Sequence, residues 1–69
     1  MSARKCEEFG RRNVCVGDVV LAYMKGGGRL QGRVNDAGYN TIVLINDAGH
    51  EVVVKLSEVA AIEFISRGQ

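Results

Sequence analysis

From Asp18 onward, apolar and polar residues follow a period of two, and β-branched side chains dominate the apolar positions. This pattern predicts five strands: Asp18–Met24, Arg29–Asn35, Thr41–Ile45, Glu51–Lys55 and Ala60–Ile65. Each gap carries residues suited to a turn. Lys25-Gly-Gly-Gly28 tolerates positive φ in a first hairpin, while Asn35-Asp-Ala-Gly-Tyr-Asn40 and Asn46-Asp-Ala-Gly49 are clusters of turn formers. Leu56-Ser-Glu-Val59 is long enough for one 3₁₀ turn capped by Ser57. No proline interrupts any strand.

The alternation is regular in the second strand, where Leu30, Gly32 and Val34 share one face and Arg29, Gln31 and Arg33 the other. It fails in Ile42-Val-Leu-Ile45 and Val52-Val-Val54, which are apolar on both faces. Such strands need cover on two sides. Either they bend so sharply around a small barrel that both faces are covered within the chain, or they lie at a subunit interface; an unpaired apolar edge favours the interface.

Ahead of the strands, Ser2-Ala-Arg-Lys-Cys-Glu-Glu-Phe starts with a capping serine and spaces Cys6 and Phe9 three apart. A short helix ending near Gly10 is therefore expected, one that holds only if docked. The chain reads as a tail or short helix over 1–13, a β domain over 14–66 and a tail over 67–69.

With 69 residues there is room for one domain, and a domain of this size buries only roughly 60% of the surface of its unfolded chain. Partner chains, disulfides or a metal usually supplement such a core. Cys6, Cys15 and the single His50 cannot assemble a tetrahedral ligand set, so no metal and no cofactor is expected. A single disulfide is open on spacing alone. Because Met1–Arg12 is polar and lacks an apolar leader core, the expectation is a cytoplasmic protein with both thiols reduced. No apolar run approaches the ~20 residues of a membrane span.

A formal net charge of +1 argues against a whole-domain basic field. The charges are nonetheless uneven: Arg4, Lys5, Arg11, Arg12, Lys25, Arg29 and Arg33 crowd the first half, and acids prevail in the second. Arg29 and Arg33 form either a basic stripe or a solvated outer face. His50 beside Glu51 has no nucleophile within sequence reach, and Gly26-Gly-Gly-Arg29 lacks the Gly-Lys-Ser/Thr of a phosphate loop, so no enzyme is expected.

Val20-Leu-Ala-Tyr-Met-Lys-Gly-Gly-Gly-Arg-Leu-Gln-Gly32, followed by Ile42-Val-Leu44 and by Lys55…Val59-Ala-Ala-Ile62, resembles the Sm-like family of small β-barrels, Hfq-type members above all, over residues 14–65. The resemblance implies a mainly β fold: a five-stranded, strongly bent antiparallel SH3-like barrel behind a short N-terminal helix. It further implies a homo-oligomeric ring in which Val52–Val54 of one copy pairs with Ala60–Phe64 of the next, binding single-stranded RNA through the loops after the second and fourth strands. Tyr39 would stack on a base, Asn40 would bond a base edge or sugar, and Lys55 would meet phosphate. The same residues also read structurally, Tyr39 as a barrel-end cap, Asn40 as a turn former and Lys55 as a charge that blunts a sheet edge. The family's Tyr-Lys-His stands here as Val54-Lys55-Leu56, without the aromatic groups. An SH3-like protein-interaction module that never touches RNA is the alternative.

Overall fold

The computed structural model describes residues 4–68. Its strands are β1 (Cys6–Phe9), β2 (Arg12–Cys15), β3 (Val19–Met24), β4 (Arg29–Gly38), β5 (Thr41–Ile45), β6 (Glu51–Lys55) and β7 (Val59–Ser66), with one 3₁₀ turn at Leu56–Glu58. β3 to β7 form an antiparallel sheet in the order β6-β5-β4-β3-β7, and β1-β2 is a separate hairpin. Among the described residues no helix is long and apolar enough to cross a membrane.

The five predicted strands are present, but they do not close into a barrel. β6 and β7 sit at opposite ends of the strand order. The turn between them carries the chain away from β6, and β7 then pairs with β3, beginning with Val59 opposite Met24. Among the described residues each outer strand pairs with a strand on one side only.

β4 runs on to Gly38, past the predicted end at Asn35. A register shift between Val34 and Asp36 lets the ladder resume with Asp36 opposite Val43 and Ala37 opposite Ile42. That bulge absorbs one residue and increases the local twist. The connection to β5 shrinks to Tyr39-Asn40, with φ of 53° and 61°. Two consecutive left-handed residues match the right-handed twist of the flanking strands, which is why two-residue hairpins use them.

Among the described residues the expected N-terminal helix is not found. Cys6–Phe9 is a strand, paired in the register Cys6↔Cys15, Glu7↔Val14, Glu8↔Asn13 and Phe9↔Arg12; the predicted Ser2 cap lies outside the described residues. Gly10 makes the turn at φ 62°. Cys6 and Cys15 are joined as a disulfide, with Cα atoms 4.0 Å apart, which overturns the reduced-thiol expectation. A few helical residues are marginal without tertiary support. A hairpin that directly apposes two cysteines gains a covalent crosslink instead.

Val14, Val20, Ala22, Val34, Ile42, Leu44, Val54, Leu56 and Val59 form the core. The doubly apolar strands divide their side chains. Ile42, Leu44 and Val54 point inward, whereas Val43 is half-buried and its cross-strand neighbour Val53 is 66% exposed.

Asp18 is the one buried charged residue among those described. Its Oδ2 accepts the Cys15 N–H at 2.9 Å, and its Oδ1 accepts the Gly68 N–H at 2.7 Å. Arg67 Nε lies 3.4 Å from Oδ2 and Arg4 Nη1 3.7 Å from Oδ1. Burial pushes its carboxyl upward, but the two N–H groups and the two guanidinium groups outweigh it, so its pKa is lowered.

Candidate nucleic-acid interface

The geometry of the β4–β5 turn is held from both sides. The Asn40 N–H donates to Glu7 Oε2 on β1 at 3.1 Å, and its carbonyl accepts the Leu56 N–H at 2.9 Å. Thr41 Oγ1 donates to the Gly38 carbonyl at 2.6 Å, closing the base of the turn. With its backbone fixed, Tyr39 is fully exposed, at 100% of its accessible surface.

Lys55 stands opposite Thr41 in the β5–β6 ladder and is exposed. The structure thus places Tyr39 and Asn40, in the β4–β5 turn, and Lys55, opposite Thr41, at the same end of the sheet. A shallow pocket of about 130 Å³ opens beside Tyr39, with Lys5, Asp36 and Thr41 also in its lining but not Asn40 or Lys55. Asp36 is a strand residue rather than a loop residue. It pairs with Lys5 Nζ at 3.3 Å, and its carboxyl is held below its ordinary value by the Ala37 N–H first and by Lys5 second.

Other candidates fall elsewhere. The His50 N–H and the Ala48 N–H both donate to Asn46 Oδ1 at 3.0 Å, so the histidine belongs to the β5–β6 turn, at the end of that ladder away from Lys55. Arg29, Gln31 and Arg33 lie exposed on the outer face of β4. Arg29 pairs with Tyr23, whose hydroxyl donates to Glu63 Oε1 at 3.0 Å. This bond raises the Tyr23 pKa, with Arg29 acting in the opposite sense.

Glu7 and Lys5 were invisible as site residues because their segment reads as a helix. One signal for them existed. Cys6 and Cys15 are equally distant from the Gly10-Arg11 pair, the symmetry that a two-residue hairpin imposes on a cross-strand pair.

Comparison with protein-family models, with curated proteins and with solved structures returned no match to this chain.

Proposed function

We propose that this protein binds single-stranded RNA without catalysis, as a homo-oligomer of the Sm-like kind. The observation that carries the reading is Tyr39, fully exposed at positive φ at the end of the sheet where Lys55 pairs with Thr41. An exposed aromatic side chain gives the fold no burial, and a left-handed backbone costs a non-glycine residue free energy, so a contact outside the core supplies a reason for tyrosine at this position. A base stacked on it would gain ~1–3 kcal/mol. Asn40 would contact the base edge or ribose, and Lys55 the phosphate.

One stacked base is a weak site, and repetition around a ring turns weak sites into avidity. The two free edges of the sheet support such assembly. β6 ends the sheet on one side and β7 on the other, and their large exposed apolar side chains are Val53 on β6 and Ile65, 49% exposed, on β7. Pairing Val52–Val54 with Ala60–Phe64 of a neighbouring copy would cover both edges, which natural sheets rarely leave bare.

Fluorescence anisotropy with U-rich and A-rich oligonucleotides at ~50 mM salt tests the reading, since phosphate contacts weaken as salt rises. Binding that falls with salt, and that Tyr39→Ala reduces at least ~5-fold, is the expected result. Absence of binding to both sequences overturns it. Val53 in line with half-buried Val43 favours a second reading, in which an extended protein segment adds to β6. A protein that is monomeric by light scattering and does not bind RNA would select that reading.

A further inference from the structure

We propose that the Cys6–Cys15 disulfide is a redox-sensitive clasp that sets the conformation of the Tyr39–Asn40 turn through Glu7. Its consequence for ligand binding rests on the RNA reading above; the clasp itself does not.

The two strands of the hairpin are anchored unequally. β2 is held by the core, since Val14 and Cys15 are buried and the Cys15 N–H is bound by Asp18. β1 is held less: Cys6 and Glu8 are exposed, Glu7 and Phe9 are half-buried, and of the four only Phe9 packs against the core. Apart from Phe9, its links beyond the hairpin are polar: Glu7 to the Asn40 N–H at 3.1 Å and, just ahead of the strand, Lys5 to Asp36 at 3.3 Å and Arg4 to Asp18 at 3.7 Å. A lone two-stranded hairpin is marginal in water. The disulfide ties the weakly held strand to the anchored one, one residue before Glu7.

The bond is placed to be opened from one side. Cys6 is exposed while Cys15 is only 4% exposed. A dithiol reductant would attack at Cys6 through its thiolate, expelling the Cys15 thiolate and forming a mixed disulfide. Its second thiol then displaces Cys6. The S–S bond breaks, both cysteines end as thiols, and the reductant ends as its disulfide, a transfer of two electrons and two protons.

Once β1 loosens, the Asn40 N–H loses its acceptor, and two residues at positive φ lose a constraint that opposes their intrinsic preference. Oxidised protein then presents Tyr39 in one arrangement and reduced protein in several. By thermodynamic reciprocity, RNA that selects the ordered turn protects the disulfide by the same factor that the disulfide favours RNA.

Amide hydrogen exchange of the full chain, oxidised and reduced, tests the clasp without RNA. Exchange at Asn40 should accelerate about tenfold on reduction, while the Val34 N–H, bonded to the Asp18 carbonyl in the main sheet, keeps its rate. In oxidised Glu7→Ala, Asn40 should exchange as in the reduced protein, and reduction should add little. Unchanged exchange at Asn40, or equal acceleration at Asn40 and Val34, overturns the proposal. Anisotropy with a U-rich oligonucleotide should show about tenfold weaker binding after reduction; equal affinity in the two states overturns the coupling to RNA. If Asn40 responds and neither state binds RNA, the clasp stands and the RNA reading falls.

Discussion

The carboxylate of Asp18 accepts the backbone N–H of Gly68 at 2.7 Å, joining residues 50 apart in sequence. The same carboxylate binds the Cys15 N–H at the end of β2, so one buried side chain fastens the hairpin, the start of β3 and the C-terminal segment together. Gly68 is suited to its place: a Cβ there would meet the Gly17 carbonyl carbon at 2.6 Å.

Asp18→Ala leaves two backbone donors without their acceptor, each costing ~1–3 kcal/mol. A loss of about 2–4 kcal/mol in urea unfolding is expected, and roughly half of that for Asp18→Asn, which keeps the shape and one acceptor. An Asp18→Ala variant as stable as the parent would contradict the clamp.

The lowered pKa of Asp18 also sets a pH dependence. Its ordinary value is 3.8 and its folded value is lower, so the unfolded chain takes up the proton first as pH falls. The contribution is complete above the unfolded value and is lost as pH drops through 3.8 toward the folded value. Asp36 shifts in the same direction but is exposed and contributes less. Urea unfolding at a series of pH values should show a steep acid limb that Asp18→Asn flattens; an unaltered limb would assign the acid sensitivity elsewhere.

Gly32 lies on β4 where the backbone of β5 comes close to its Cβ position. A Cβ there would sit 2.6 Å from the Ile45 carbonyl oxygen and 3.2 Å from Leu44 Cβ. Backbone cannot yield as a flexible side chain does, so Gly32→Ala should cost about 1–3 kcal/mol. Gly26, whose Cβ would meet nothing within 4 Å, is the control, and Gly26→Ala should unfold with the parent.

Tyr39→Gly separates strain from function. Glycine adopts the left-handed backbone freely, so the variant should match the parent in stability or exceed it by about 0.5–1 kcal/mol, while RNA affinity falls at least ~5-fold. A clear loss of stability would mean that the ring supports the fold, and the case for a binding role would weaken with it.

Val53→Lys places a charge on the free β6 edge, at a position 66% exposed within a single chain. Charged side chains on such edges block pairing. Light scattering should show a smaller species than the parent, with monomer unfolding little changed. An unchanged mass would exclude β6 from the interface.

The main sheet was legible because its signals are local. Period-two patterning and turn residues located β5 and β6 to the residue, and β3 to within one residue at its start. Tyr39, Asn40 and Lys55 were put together only through family resemblance, since no local pattern says that residue 55 stands next to residue 41. Glu7 was not legible at all. Four residues can satisfy a helical or an extended spacing equally well, and Cys6 with Phe9 fitted the wrong one.

The sequence alone therefore determined where the main strands run and which faces carry apolar residues, because alternation and turn preference act over a few residues. Tertiary structure decided what depends on partners far along the chain: the β1–β2 hairpin closed by Cys6–Cys15, the Glu7 contact that holds the Asn40 N–H, and the Asp18 clamp on Gly68. It also put β6 and β7 at opposite ends of the sheet, unpaired with each other, because whether two outer strands meet is set by accumulated twist and by the turn between them rather than by the residues of either strand.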